Sequence, residues 1–224
     1  MATVTETETA APPVPWETAE ELLEALGGIA LSRIRMRPPP GTATEADLIA
    51  VNERKTGICE LVDGVLVEKG MGYTESVLAI VISSFLRAFV VPRNLGLVSG
   101  ADGMMRLFPG RVREPDVAFA SWDRVPGRRV PTEPIAGFVP DLAVEVLSRS
   151  NTKAEMARKR REYFAAGVRL VWEVDPRART VAVYHSAEKA TLLDAAATLD
   201  GGDVLPGFAL PLAELFGELD RQGN

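Results

Sequence analysis

Pro140-Asp141-Leu142-Ala143-Val144-Glu145-Val146-Leu147-Ser148 is the stretch on which the reading of this chain turns. Apart from its two acids, the run is apolar at consecutive positions rather than alternate ones. That pattern marks a strand covered on both faces. Asp141 stands at the start of the run, where solvent can meet it. Glu145 lies between Val144 and Val146, and an ionised carboxylate there is costly unless a cation accompanies it. An arginine partner would meet that cost, and so would a metal ion.

Downstream, Thr152 to Ala166 reads as a highly charged helix stopped by Gly167. Val168–Val174 and Thr180–Tyr184 read as strands turned at Asp175-Pro176. Met156, Lys159, Tyr163 and Ala166 recur at three- and four-residue steps and form one stripe. Its apolar members should face the sheet, which carries Lys159 inward toward Glu145. Arg160 lies near the edge of the stripe and competes with Lys159 for that place. Arg158 and Arg161 fall outside it and read as solvated cations or phosphate contacts.

Upstream, Pro115 to Ala120 is a strand opening on proline, where no ladder N–H is lost. Asp116 sits at its start. A lone acid there is usually a turn or cap residue. Two acids on short apolar strands, followed by a basic helix, point instead to a shared divalent cation. Between the strands, a loop rich in Arg, Pro and Gly offers Arg124, Arg128 and Arg129 as further phosphate contacts.

Nearer the start, residues 1–14 are rich in Thr, Glu, Ala and Pro, a composition expected to be disordered. Residues 15–224 read as a single domain. Thr18 N-caps a short helix to Leu26, with Glu21 three residues on. Pro38 to Gly41 is a stiff turn, and Thr44 opens a second helix that ends before Gly57. Ile58–Val62 and Val65–Glu68, joined by Asp63-Gly64, read as a hairpin. Tyr73 to Val91 is the longest helix, with Val77, Ile80, Val81, Phe85 and Phe89 expected on its buried face. Short strands follow at Leu97–Ser99 and Met104–Phe108. The end of the chain reads as an edge strand near Leu192-Leu193 and a capping helix from Pro211 to Phe216.

Composition limits the chemistry. One cysteine, Cys59, excludes an internal disulfide and a cysteine-based zinc site, and one histidine, His185, excludes a multi-histidine site. A metal must then be held by carboxylates, which suit hard cations such as Mg²⁺ or Mn²⁺. The N-terminus lacks the order of a secretory signal, and no apolar run approaches the ~20 residues that span a bilayer, so no membrane is expected. A reducing cytoplasm is the simplest setting. The formal charge of −6 argues against a nucleic-acid coat, although not against an enzyme with a local basic face. His185 reads as a surface residue, Cys59 as a small core residue, and Trp16, Trp122, Trp172 and Glu173 as structural.

Five blocks in order carry a resemblance: Cys59 to Gly64, Glu114-Pro115-Asp116-Val117, Pro140 to Ser148, Lys159 with Tyr163, and Ala166-Gly167-Val168 with Val171-Trp172. Over residues 45–185 the chain resembles the Uma-type endonuclease family, a branch of the PD-(D/E)XK nuclease superfamily. The resemblance implies an α/β, restriction-endonuclease-like fold, a mixed β-sheet flanked by helices. It implies Asp116 and Glu145 as Mg²⁺ or Mn²⁺ ligands, DNA as substrate and a possible homodimer. Lys159 becomes the catalytic lysine, moved to the helix, because the usual lysine position after Glu145 is Leu147. Glu60 sits nearby, as an extra ligand or as a partner of the lysine. There are two departures. The family often shows a histidine at the start of the long helix, where this chain has Tyr73-Thr74-Glu75-Ser76. Arg149 replaces the family's usual proline. Two other readings remain open: a binding or regulatory module with weak or no activity, and a hydrolase of small phosphate esters.

Overall fold

The computed structural model describes residues 16–54, 57–70 and 72–223. The expected disordered segment, residues 1–14, lies outside them. The described chain contains helices α1 (Ala19–Ala25), α2 (Glu45–Glu53), α3 (Tyr73–Val90), α4 (Lys153–Ala166) and α5 (Leu212–Gly217). Its strands are β1 (Cys59–Val62), β2 (Val65–Glu68), β3 (Gly96–Gly100), β4 (Met105–Phe108), β5 (Arg111–Arg113), β6 (Val117–Ser121), β7 (Leu142–Val146), β8 (Leu170–Asp175), β9 (Thr180–Tyr184), β10 (Ala190–Leu193), β11 (Thr198–Gly201) and β12 (Leu205–Pro211).

The main sheet has the order β10-β9-β8-β7-β6-β3. It is mixed: β7 and β8 run parallel and the other neighbours antiparallel. The parallel pair needs a crossover, and α4 supplies it. The remaining strands do not join this sheet. They form a four-stranded sheet, β2-β1-β5-β4, and the pair β11-β12.

Local chemistry explains the elements that hold the site. Thr152 caps α4 in a capping box with Glu155, and Gly167 ends it at φ 98°. The β1–β2 turn places Asp63 at φ 51° and Gly64 at φ 75°, as a two-residue hairpin turn requires. A Cβ on Gly64 would fall 2.5 Å from the Gly41 backbone, so only glycine fits.

Helix α3 is rotated from the expected orientation. Its fully buried row is Leu78, Ile82, Leu86 and Val90, while Val81, Phe85 and Phe89 flank the row partly buried. Ile80 is 64% exposed. The helix is apolar almost all round between Val77 and Ile82, so periodicity alone does not choose the face. Among the described residues, α3 is the one helix long and apolar enough to cross a membrane. Here its Leu78 row packs in a core with Phe119, Leu142, Val144 and Trp172. Trp172 stacks on Phe208 of β12, with ring centroids 5.8 Å apart. The β11–β12 hairpin was not expected from the sequence. Gly201-Gly202 and Pro206 interrupt its alternation of Leu199, Leu205, Phe208 and Leu210.

Cys59 is fully buried in a second core with Leu48, Leu61 and Leu66. Burial pushes its thiol up to about 11. Reactivity follows the thiolate. At pH 8, labelling of the folded protein by a thiol reagent should therefore be at least roughly 100-fold slower than in denaturant. Equal labelling rates in the two conditions would contradict the placement of Cys59.

Candidate active site

The site forms where β6 and β7 lie side by side. Val117 pairs with Val144 in an antiparallel register. One step further along each strand, Asp116 and Glu145 therefore share a level and a face. Asp116 accepts the Val146 N–H at 2.7 Å through Oδ2, which ties it across to β7. Both acids are buried, at 6% and 4% exposure.

Lys159 points inward, as the helical stripe indicated. It is 2% exposed, and its Nζ lies 3.2 and 3.1 Å from the two Glu145 carboxylate oxygens and 3.0 Å from Glu60 Oε1. Arg160 turns elsewhere: it pairs with Glu173 at 2.7 Å and stacks over the Tyr184 ring. One helical turn beyond Lys159, the Tyr163 hydroxyl donates to Glu145 Oε1 at 2.6 Å.

Glu60, in the middle of β1, accepts from Arg113 Nη1 at 2.7 Å, and Arg113 also pairs with Glu162 of α4. A continuous row results: Glu162, Arg113, Glu60, Lys159, Glu145, Tyr163. Lys69, just past β2, lies 2.7 Å from Asp116 Oδ1 and also donates to the Glu114 carbonyl. Its side chain is 4% exposed.

These contacts set the protonation states. Burial alone would discharge Lys159, but Glu145 and Glu60 outweigh it and hold the ammonium charged, above its ordinary range. Burial raises Glu145 above the usual carboxylate range, with Asp116 and Glu60 adding to the rise and Lys159 and Lys69 opposing it. Burial also resists ionisation of Glu60, yet Lys159 and Arg113 hold its carboxyl well below the usual range. Tyr163 is driven well above its ordinary value by burial and by the charge of Glu145, so it stays a donor.

Among the described residues, no group of three or more His, Cys, Asp or Glu could hold a metal ion. The donor chemistry of Asp116 and Glu145 still fits a hard cation that keeps several waters or takes phosphate oxygens, as Mg²⁺ does. Carboxylate oxygens carry more lone pairs than the present N–H and O–H donors use. A cavity of about 130 Å³ lies at Asp116, lined also by Glu75, Ser76 and Ser83 of α3 and by Gly100. Glu75 thus stands in the helix-start stretch where the resemblance led one to look for a histidine.

The arginines divide. Arg124 bonds Asp141 at 3.2 Å and the Gly167 carbonyl at 2.7 Å. Arg158 engages Asp63, Glu162 and the Ala25 carbonyl. Arg128 pairs with Asp123 at the surface, and Arg129 and Arg161 are exposed. Arg161 lines an open groove of about 470 Å³ with Phe108, Arg111 and Arg158.

Sequence reasoning missed Lys69 and Arg113, and gave Tyr163 no role beyond the apolar stripe and the family block it shares with Lys159. Lys69 follows a strand and precedes Gly70, a position with no periodic signal. Arg113 sits on a three-residue strand between Val112 and Glu114, and its burial is visible only through its partners.

A family model described as Uma2, putative restriction endonuclease, matches residues 46–213. Among solved structures, the crystal structure of a putative nuclease belonging to DUF820 from Anabaena variabilis ATCC 29413 shares the fold. The TM-score is 0.65 at 20% identity, over 72% of this chain and 91% of that one. Comparison with curated proteins gave no match.

Proposed function

The chain belongs to the Uma2 family of putative restriction endonucleases, and from that membership we propose a metal-dependent endonuclease that hydrolyses DNA phosphodiester bonds. The observation that carries this reading is the seat of Lys159. A charged amine is held on a helix within 3.2 Å of Glu145, and Glu145 shares a face with Asp116 on the neighbouring strand.

In this reading Asp116 and Glu145 hold Mg²⁺ or Mn²⁺. Such an ion, when bound, polarises the phosphate and acidifies a bound water. The chain's own groups do the rest. Lys159, fixed in its charged form, offsets negative charge developing on the pentavalent phosphate. Glu60, itself held by Arg113, limits where the Lys159 amine can move. Tyr163 fixes the Glu145 carboxylate, and Lys69 with the Val146 N–H fixes that of Asp116. Arg128, Arg129 and Arg161 are the exposed candidates for contacts to the DNA backbone, which would make binding salt-sensitive. Arg124 and Arg158 would have to share their present partners to join them.

Asp116→Asn keeps the shape of the side chain and removes its charge. Cleavage of plasmid DNA in Mg²⁺ or Mn²⁺ should fall by at least roughly 100-fold. Parent-level cleavage by the variant would refute the assignment. One observation favours a second reading, a nuclease-fold module that binds without cutting. Lys69 and Lys159 already neutralise the two acids without any ion. Calorimetry separates the two: DNA binding with no uptake of Mg²⁺ or Mn²⁺ selects the module.

A further inference from the structure

Strand β3 ends the main sheet. β6 pairs with one side of it, and no described strand pairs with the other. The register with β6 runs unbroken from Gly96 opposite Ser121 to Gly100 opposite Val117. One step before it, the Trp122 N–H donates to the Leu95 carbonyl at 3.1 Å. Bonded and unbonded pairs alternate in an antiparallel ladder. Leu97 and Ser99 therefore bond to β6, while Gly96, Val98 and Gly100 turn their main-chain groups outward. The Gly100 carbonyl accepts from the Gly103 N–H at 3.0 Å, which agrees with that direction.

Exposed edges are normally guarded by charge, proline, a bulge or a covering segment. The other edges of the two larger sheets have such guards. Ile34 bridges to Val67 of β2, Ala136 bridges to Met105 of β4, and Glu188-Lys189 precede β10. Gly96-Leu97-Val98-Ser99-Gly100 has no charge, no proline and no bulge, and none of its residues is buried. A Cβ on Gly100 would meet nothing within 4 Å.

Apolar side chains flank this edge on both faces of the sheet. On the α3 face stand Ile80 and Val91, 64% and 56% exposed. On the other face, where Ala118 packs with Met105 and Ala136, stands Val130, 66% exposed. A cavity of about 450 Å³ runs along the edge and is lined by Val91, Gly96 to Ser99 and Val130. Helix α3 and β3 run in opposite directions, since Ile80 and Ser83 share the Asp116 cavity with Gly100 and Ala101. Arg87, further along α3, therefore lies toward the Gly96 end, and Asp102 lies just past the Gly100 end. Both are exposed, and both line the cavity at the edge.

We propose that the β3 edge pairs with the β3 edge of a second copy of this chain, antiparallel, about a two-fold axis at Val98. Val98 then faces Val98 of the second copy and exchanges two N–H···O bonds with it. Gly96 lies opposite Gly100, and the two six-stranded sheets join into one. The axis stands perpendicular to the sheet, so the two α3 helices share a face and their exposed apolar flanks meet. The same operation brings Arg87 of each copy beside Asp102 of the other. Charges of opposite sign at the two ends of one strand make the edge complementary to itself, as an isologous contact requires. The proposal does not rest on the nuclease reading, since neither Asp116 nor Glu145 lines the cavity at the edge.

Sedimentation equilibrium of the full chain over a dilution series should show a reversible monomer–dimer equilibrium. Gly100→Lys puts a charge at an open place on the edge and should weaken the dimer at least roughly tenfold, with the circular dichroism of the fold unchanged. Arg87→Asp and Asp102→Arg should each weaken it at least roughly tenfold, because each change puts like charges together twice. The double variant exchanges the pair and should regain most of the loss. A chain that is monomeric at every concentration overturns the proposal and leaves the edge to a strand of another protein. A dimer unchanged by Gly100→Lys places the contact on another surface and also overturns it. Either single swap without effect, or a double variant no tighter than the singles, refutes the antiparallel pairing. Amide exchange of the parent chain checks the same contact without a substitution. The Val98 N–H should exchange at least roughly tenfold faster in dilute solution than in concentrated solution. Equal rates refute the pairing.

Discussion

On the proposed mechanism, Glu145→Gln is expected to give a folded protein whose DNA cleavage in Mg²⁺ is at least roughly 100-fold below that of the parent. The substitution keeps the outline of the side chain and an oxygen for the Tyr163 hydroxyl, which now bonds Oε1 at 2.6 Å. It removes one of the two charges that would hold a cation. Stability should change little, because Lys159 keeps Glu60 at 3.0 Å and the costly burial of one carboxylate is relieved. Cleavage and urea unfolding, measured on the same preparation, test both halves. A folded variant that cuts at the parental rate removes Glu145 from the mechanism.

Lys159→Met reverses the balance between function and stability. It leaves Glu145 buried with no cation of its own and Glu60 with Arg113 alone. Breaking a buried pair by deleting one partner costs about 3–5 kcal/mol. Urea unfolding should show a loss of that size, and a loss under ~1 kcal/mol would mean the row of charges contributes little to stability. Adding Glu145→Gln to Lys159→Met should restore part of the loss. Coupled residues deviate from additivity in this way, and distant ones do not.

How far the sequence could be read depends on where each partner comes from. Strand β7 was legible because its apolar run is unbroken, and α4 because Thr152, Glu155 and Gly167 mark its ends. The inward direction of Lys159 followed from the stripe it shares with Met156 and Tyr163. Its advantage over Arg160 did not, since that depends on Glu173, which lies on β8 rather than on the helix. Glu60 came into view only through the family resemblance. Lys69 and Arg113 reach the acids from positions 47 and 53 residues away in the chain from Asp116 and Glu60 respectively. No local period encodes such a meeting. The face of α3 was misjudged for a different reason: a helix with apolar residues on nearly every side can be turned by its partners. The mixed sheet implied by the resemblance is present as β10-β9-β8-β7-β6-β3. Strand β5 was not legible, because it is only Arg111-Val112-Arg113 and both arginines are held by ion pairs.

Lys69 and Lys159 have a consequence for how the protein is made. Both are built-in counterions, carried by the same polypeptide as the acids they offset. The acid pair is thus balanced as soon as the hairpin and α4 dock, whatever ions the surrounding solution holds. On the proposed metal-dependent reading, assembly and loading would be separate events: the architecture is complete without an ion, and a chelator would leave the scaffold standing.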